Sequence, residues 1–208
     1  MKILLADDHV LFREGARLVL EEYTEGEIRV VEVGTFAEAL ACIRQDPDFQ
    51  LMLIDLTMPG MDGLTGLQLL RRVRPAVPIV VLTASEDPRH VRRALEFGAR
   101  GYVSKASGTS VMMEAIAATL AGDTFVGPGL SPATQGEAVD EDGGGPAQLT
   151  PRQLDVLAML RKGKSNKEIA RDLRLAEITV RLHVTAIFRA LGVHNRTQAA
   201  LAAEQMGL

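Results

Sequence analysis

Short apolar runs alternate with helical patterns through the first 121 residues of this 208-residue chain, and no other feature restricts the possible folds as much. The runs are rich in β-branched residues and nearly uninterrupted, as in strands buried on both faces. Strands that alternate with helices form a parallel sheet covered by helices on both sides. Strands are predicted at 3–6, 28–33, 51–54, 79–82 and 102–103, and helices at 9–22, 35–45, 64–73, 87–97 and 107–121.

The pattern changes after residue 121. From 122 to 146, glycine, proline and acidic residues replace the apolar periodicity, which is typical of a flexible linker. Helical periodicity then returns at 147 and continues to residue 208 without a strand signal. The sequence therefore predicts an α/β domain at 1–121, a linker at 122–146 and a small all-α domain at 147–208.

Charge separates the two predicted domains. Residues 147–208 carry ten basic and five acidic side chains, whereas the rest of the chain has a net charge of −9. A basic domain favours a polyanionic partner, although two solvated surfaces of opposite sign fit the charge equally well. The chain has no apolar run long enough for a bilayer, no signal-peptide pattern, and a single cysteine, Cys42. We therefore expect a cytoplasmic protein without a membrane partner.

Five polar residues lie at the C-terminal ends of the predicted strands: Asp7, Asp8, Asp55, Thr83 and Lys105. These ends meet at one edge of a parallel sheet. Neighbouring carboxylates repel each other and are driven towards protonation, unless a hard cation such as Mg²⁺ binds between them. A carboxylate beside a metal, a hydroxyl and an ammonium group can accept a phosphoryl group. The sequence therefore predicts a phosphorylation site on Asp55.

Each of these residues also has an ordinary explanation. Asp8 fits a helix cap, Thr83 a strand-end hydroxyl, and Lys105 a solvated surface lysine. Their joint occurrence at successive strand ends is what favours a common site.

Four segments of the first domain resemble the receiver domain of bacterial two-component response regulators. They are Asp7–His9, Asp55–Gly63, Thr83–Ala84 and Gly101–Lys105. The resemblance implies a flavodoxin-like, doubly wound sheet of five parallel strands in the order 2-1-3-4-5, with the site at the carboxyl ends of the strands.

The resemblance also implies a role for each site residue. Asp55 is the phosphoacceptor. Mg²⁺ is held by Asp8, Asp55 and the backbone carbonyl of Thr57, while Asp7 acts largely through water. The switch residues are Thr83, Tyr102 and Lys105: the hydroxyl and the ammonium group move to the phosphoryl group, and the aromatic ring turns into the space behind. Tyr102 also fits a half-buried strand aromatic without a switching role.

The second domain contains a helix-turn-helix pattern. Thr150 suits an N-cap and Pro151 the first position of an opening helix. A short helix at 166–173, a turn at 174–176 and a longer helix at 177–191 follow.

Two faces are predicted for the longer helix. Its core face carries Val180, Val184, Ile187 and Leu191, and its outward face carries Ile178, Arg181, Leu182, Thr185 and Arg189. Arginine suits guanine edges and phosphates, and apolar side chains suit thymine methyl groups. This pattern favours DNA binding over a protein-binding helical bundle, which remains the alternative.

Four segments resemble the LuxR-type DNA-binding domain, and the two domains together are similar to the NarL/FixJ subfamily of transcriptional regulators. The segments are Leu149–Arg152, Gly163–Ala170, Thr179–Val184 and Leu191–Ala199. The resemblance implies base or phosphate contacts from Arg181, Leu182 and Thr185 and backbone contacts from Lys167 and Thr179; Arg189 on the outward face completes the predicted DNA-binding set.

Three positions depart from the family pattern. Ala176 stands where a capping serine is frequent, Gln153 replaces a usual glutamate, and Thr185 stands where some members have a basic residue. We therefore expect a less firmly started recognition helix and an altered DNA preference.

The combined interpretation is a transcription regulator controlled by phosphorylation. A sensor histidine kinase, or a small phosphodonor, phosphorylates Asp55, and this controls dimerisation and binding to promoter DNA; a homodimer is expected when the protein is phosphorylated or DNA-bound. A magnesium-dependent phosphatase usually has an acid/base aspartate two residues after its nucleophile, where this chain has Thr57, so an enzyme is not expected. A regulator locked in one state would lack one of the acidic or lysine residues of the site, and none is missing.

Overall fold

The computed structural model describes residues 1–24, 27–84, 87–130 and 149–206. The chain divides into two compact units, Met1–Ala133 and Thr134–Leu208, and each is described by itself. No helix in the described ranges is both long and apolar enough to cross a membrane.

The first unit is built on one parallel sheet. Its strands lie in the order β2-β1-β3-β4-β5-β6, which confirms the predicted order for the first five. On β1, Leu4 pairs with Val31 of β2 on one side and Met52 of β3 on the other. The strands are β1 (Lys2–Ala6), β2 (Arg29–Val33), β3 (Phe49–Asp55), β4 (Ile79–Thr83), β5 (Gly101–Ser104) and β6 (Phe125–Val126).

The sixth strand corrects both the predicted strand number and the predicted start of the linker. Phe125 N donates a hydrogen bond to the Arg100 carbonyl at 2.9 Å, and Gly127 N donates one to the Tyr102 carbonyl at 2.9 Å. Leu130 is only 2% exposed and lies in the core of this unit. Phe125 and Val126 lie between Gly122 and the run Gly127–Gly129, a composition typical of a linker, so the sequence did not indicate a strand here. Residues 131–146 of the predicted linker lie outside the described residues.

Helices cover both faces of the sheet, as predicted. The inner strands β1, β3, β4 and β5 are almost completely buried, whereas only one residue of the edge strand β2 is buried. The helices are α1 (Val10–Tyr23), α2 (Phe36–Gln45), α3 (Gly63–Val73), α4 (Pro88–Glu96) and α5 (Thr109–Leu120).

The second unit is helical throughout its described part. Its core contains apolar side chains from every one of its helices, among them Leu160, Ile169, Ile187 and Ala199. The helices are α6 (Pro151–Arg161), α7 (Asn166–Leu173), α8 (Glu177–Ala190) and α9 (Arg196–Gln205).

The first helix of this unit begins with a complete capping box. Gln153 N donates to Thr150 Oγ1 at 3.2 Å, and Thr150 N donates to Gln153 Oε1 at 2.8 Å. Gln153 is 3% exposed. The predicted cap at Thr150 is confirmed, and an uncharged glutamine completes the box as well as glutamate would, because the backbone N–H needs only an acceptor oxygen.

Candidate phosphoacceptor site and DNA-binding surface

The ends of four strands bring the predicted site residues to one edge of the sheet. Asp7 follows β1, Asp55 ends β3, Thr83 ends β4 and Lys105 follows β5. Asp7, Asp55 and Thr83 are at most 1% exposed. Parallel strands in this order point their carboxyl ends in the same direction, which is why residues far apart in sequence meet here.

Lys105 connects the two buried carboxylates. Its Nζ lies 2.7 Å from Asp7 Oδ2 and 2.7 Å from Asp55 Oδ2. Burial by itself would lower the pKa of Lys105, but the hydrogen bonds and charges of Asp55 and Asp7 outweigh it and raise the pKa above its ordinary value. The side chain is therefore a cation at neutral pH and partly balances the charge of the carboxylates.

Thr57 holds the carboxylate of Asp55 in place. Its backbone N–H donates to Asp55 Oδ1 at 3.1 Å, and its hydroxyl lies 3.0 Å from Oδ1 and 2.9 Å from Oδ2. With the contact from Lys105, both oxygens of the carboxylate accept hydrogen bonds. The resemblance to receiver domains assigns the backbone carbonyl of Thr57 to the metal, and the structure adds its side chain as a hydrogen-bond partner of the Asp55 carboxylate.

The carboxylates form a group of suitable donors for a cation. Four possible ligand atoms lie within 4.8 Å of one another, one each from Asp7, Asp8, His9 and Asp55. Carboxylate oxygens together with water are the ligands that Mg²⁺ prefers, so these residues fit that ion. His9 was not predicted; its Nδ1 lies 2.8 Å from Asp8 Oδ1 and 3.2 Å from Asp7 Oδ1.

Thr83 and Tyr102 are in contact below the site. Their hydroxyl groups are hydrogen-bonded to each other. The ring of Tyr102 is 0% exposed, so it is a fully buried residue rather than a half-buried strand aromatic. Burial raises the pKa of Tyr102, which the hydrogen bond with Thr83 offsets only in part, so the phenol is protonated at neutral pH.

Two residues of α1 that sequence reasoning missed support the site from the side. Arg13 Nη1 donates to the carbonyl of Asp7. The ring centroid of Phe12 lies 5.2 Å from Lys105 Nζ, within the range of a cation–π contact. No motif indicated these contacts, because they depend on how α1 packs beside the ends of β1 and β5.

The predicted DNA-binding residues differ in exposure. Lys167 and Arg189 are exposed, and Arg181 and Thr185 are partly exposed. Thr179 and Leu182 are 2% and 1% exposed. Both residues are buried, but neither is among the residues that form the core of the second unit, so the place of Leu182 on the outward face of α8 and the backbone contact of Thr179 stay predictions.

The remainder of the helix-turn-helix follows the predicted pattern. Val180, Val184 and Ile187 lie in the core, and the partly buried Leu191 packs against it. Arg174 ends α7 in the left-handed region, with φ 56° and ψ 43°. Ala176 precedes α8 and makes no side-chain capping bond, whereas Ser165 starts α7 with a full capping box. The absence of a side-chain cap on the recognition helix is thus confirmed.

Two family models match the chain. Residues 3–117 match the response regulator receiver domain, and residues 147–203 match the bacterial regulatory proteins of the luxR family. The first match alone spans more than half of the chain.

Relatives and solved structures agree with these models along almost the whole chain. The glycerol metabolism activator of Pseudomonas putida is 42% identical over 97% of this chain and 94% of its own length. The nitrate/nitrite response regulator protein NarP of Escherichia coli is 35% identical over 96% of this chain and 93% of its own length. A structure of the response regulator RcsB bound to DNA is 26% identical, covers 98% of both chains and has a TM-score of 0.59. The chain therefore belongs to the two-component response regulators of the NarL/FixJ subfamily, transcription regulators in which a receiver domain precedes a LuxR-type DNA-binding domain.

Proposed function

We propose that phosphorylation of Asp55, with Mg²⁺ bound beside it, controls dimerisation and DNA binding of this transcription regulator. The observation that carries the proposal is the convergence of Lys105 on Asp7 and Asp55 at 2.7 Å, next to the carboxylate of Asp8. Two buried carboxylates, a third that reaches solvent and one ammonium group suit the transfer of a charged phosphoryl group better than they suit packing.

Asp55 is the nucleophile in this proposal. One of its carboxylate oxygens forms a bond to phosphorus while the bond from phosphorus to the donor breaks, and the leaving group takes the electron pair. Asp8, Asp55 and the backbone carbonyl of Thr57 would hold Mg²⁺, with Asp7 acting largely through water, and the ion would supply charge neutralisation for the phosphoryl oxygens. Thr57 holds the carboxylate in a fixed orientation before the reaction.

Thr83 links the phosphoryl group to the interior of the domain. Its hydroxyl shares a hydrogen bond with Tyr102, and a move towards the phosphoryl group breaks that contact. Lys105 keeps an anionic partner, because a phosphoryl oxygen replaces the carboxylate of Asp55. The free energy of these new contacts shifts the equilibrium between two states of the receiver.

The partners are a sensor histidine kinase on the receiver side and promoter DNA on the basic side. Residues 147–208 have a net charge of +5, which favours phosphate contacts. Thr179 and Leu182 are buried in this structure, so DNA contacts from them require that both side chains become accessible on binding. A homodimer presents two recognition helices to paired half-sites.

Phosphorylation with acetyl phosphate tests the proposal. Wild type and Asp55→Asn are incubated with Mg²⁺ and acetyl phosphate, then compared by intact mass, by light scattering and in a gel shift. We expect one phosphate, a larger particle and tighter DNA binding for wild type only. If Asp55→Asn takes up as much phosphate as wild type, Asp55 is not the phosphoacceptor. If phosphorylation leaves the gel shift of wild type unchanged, it does not control DNA binding. Continuous hydrolysis of phosphate esters would instead favour the alternative function, a magnesium-dependent phosphatase.

A further inference from the structure

A cavity of about 390 Å³ lies beside the acceptor, between the first turn of α3 and the helix α4. Thr57 and Thr83 line it on the side of the site, and His90, Arg93 and Phe97 line it on the side of α4. Thr57 separates this cavity from the carboxylate of Asp55, because it lines the cavity and its hydroxyl contacts both oxygens of that carboxylate.

Arg93 supplies a permanent positive charge to the α4 side of this cavity. Its guanidinium carbon lies 5.9 Å from the centroid of the Phe97 ring, which restricts the orientation of the side chain. A guanidinium group matches the geometry of a carboxylate, to which it donates two parallel hydrogen bonds. Among the described residues, the wall of the cavity therefore offers a cationic group suited to an organic acid.

Asp62 is the acidic side chain among the described residues that line the cavity. It stands at the N-cap of α3, where its side chain makes no capping hydrogen bond and its backbone carbonyl accepts one from the Thr65 N–H at 2.9 Å. The positive end of the helix offsets part of the charge of this carboxylate. Within the cavity, an anion is thus repelled by Asp62 and attracted by Arg93, so it should bind at the Arg93 end.

We propose that this cavity receives the leaving group of small acyl phosphates, with Arg93 pairing with the departing carboxylate. The inference rests on the proposed phosphorylation of Asp55. An oxygen of Asp55 bonds to phosphorus, the bond between phosphorus and the acyl oxygen breaks, and the carboxylate leaves with the electron pair; no proton is needed. Attacking and leaving oxygens are in line in such a transfer, so the leaving group lies on the side of phosphorus away from Asp55.

Two small phosphodonors distinguish this role from a general effect on the site. Acetyl phosphate releases acetate, which carries a negative charge. Phosphoramidate releases ammonia, which is neutral, because the nitrogen already carries its proton when the bond to phosphorus breaks. Arg93 stabilises the first leaving group and has no charge to stabilise in the second.

The experiment measures the rate of phosphorylation of the full-length chain with each donor, at constant ionic strength and saturating Mg²⁺. The variants are Arg93→Ala, Arg93→Lys and the matched control Arg92→Ala, an exposed neighbour on α4 outside the cavity wall. We expect Arg93→Ala to slow acetyl phosphate by roughly fivefold to tenfold, as for the loss of one charge-assisted hydrogen bond. The rate of Arg93→Ala with phosphoramidate should stay near that of wild type, as should the rates of Arg92→Ala with both donors. With acetyl phosphate, the rate of Arg93→Lys should lie between those of wild type and Arg93→Ala.

The two donors also separate failure of the inference from failure of the proposed function. If Arg93→Ala lowers the phosphorylation rate equally with both donors, or with neither, the cavity does not bind the leaving group. If wild type reacts with neither donor, the phosphorylation of Asp55 itself is refuted. Reaction with phosphoramidate at the wild-type rate also shows that the variant is folded, so a misfolded protein cannot imitate the expected result.

Discussion

Lys105 determines how much negative charge the receiver site offers to a cation. Its ammonium group lies 2.7 Å from carboxylate oxygens of Asp7 and Asp55, so it would compete with a metal ion for them. We expect Lys105→Gln to bind Mg²⁺ roughly three- to tenfold more tightly, because one positive charge is removed beside the ion. Isothermal titration calorimetry of both proteins at neutral pH measures the difference.

The control for this prediction is Lys164→Gln, which removes the same charge from the other unit. Lys164 pairs with Asp172 at 2.6 Å and should leave the affinity for Mg²⁺ unchanged. Equal or weaker binding of Mg²⁺ to Lys105→Gln contradicts the competition between the two cations.

Two glycines of the receiver should respond to alanine with opposite signs. A Cβ on Gly101 would lie 2.8 Å from Val80 Cγ2 inside the core, so Gly101→Ala should lower the free energy of unfolding by about 1–3 kcal/mol. A Cβ on Gly15 of α1 meets nothing within 4 Å, so Gly15→Ala should raise it by about 0.5–1 kcal/mol. Urea unfolding measures both, and destabilisation of similar size by both variants would contradict the packing argument.

Chemical type made some site residues predictable and left others hidden. Asp55, Thr83 and Lys105 could be predicted because carboxylate, hydroxyl and ammonium groups occur together at successive ends of apolar strands, although each alone has an ordinary explanation. Phe12 and Arg13 could not, because an aromatic and a basic residue on an amphipathic helix are ordinary. Their role depends on the three-dimensional neighbourhood of Lys105 and Asp7.

At the scale of single elements, the N-terminus of the recognition helix α8 lacks a side-chain cap, which a substitution could supply. Ala176 has φ −70° and ψ 147°, the extended conformation of an N-cap, but no side chain that accepts a hydrogen bond. We expect Ala176→Ser to stabilise the C-terminal unit by about 0.5–1 kcal/mol, through a bond to an N–H of the first turn. Thermal unfolding followed by circular dichroism should show a midpoint higher by a few degrees.

Ser165→Ala is the opposite change at the neighbouring helix α7. It removes the serine of an existing capping box and should cost about 1 kcal/mol. If Ala176→Ser lowers the midpoint as Ser165→Ala does, the start of α8 does not accept a cap.

Elements with a long periodic pattern could be predicted, and the shortest element could not. The predicted helix at 166–173 coincides with α7, and the observed α8 ends one residue before the predicted limit. The strand β6 has only two residues, and its hydrogen bonds to the neighbourhood of β5 hold it in place. Such a strand depends on the edge of an existing sheet rather than on its own sequence.

At the scale of the whole molecule, the two units differ in charge, and this should appear in the salt dependence of DNA binding. Lys167 is exposed at the start of α7, where we predict a phosphate contact. Lys167→Gln should weaken binding to duplex DNA of any sequence and reduce the slope of log K against log salt by about 0.9. Fluorescence anisotropy at several salt concentrations gives both slopes.

Lys162→Gln serves as the comparison, because Lys162 is also exposed and basic but lies beyond the end of α6, outside the predicted contact set. It should keep the wild-type slope. A slope unchanged in Lys167→Gln, or reduced equally in both variants, removes Lys167 from the DNA-binding surface.

The amino-acid sequence alone determined the parallel α/β class, the two units and the chemical types that meet at the candidate phosphoacceptor site, because hydrophobic periodicity and the polar ends of strands are local properties. The tertiary structure decided which side chains touch. Lys105 between Asp7 and Asp55, the fully buried ring of Tyr102, the buried position of Leu182 and the cavity beside Arg93 depend on how distant elements pack. Packing is set by the whole chain, since each side chain is buried by neighbours that no local pattern specifies.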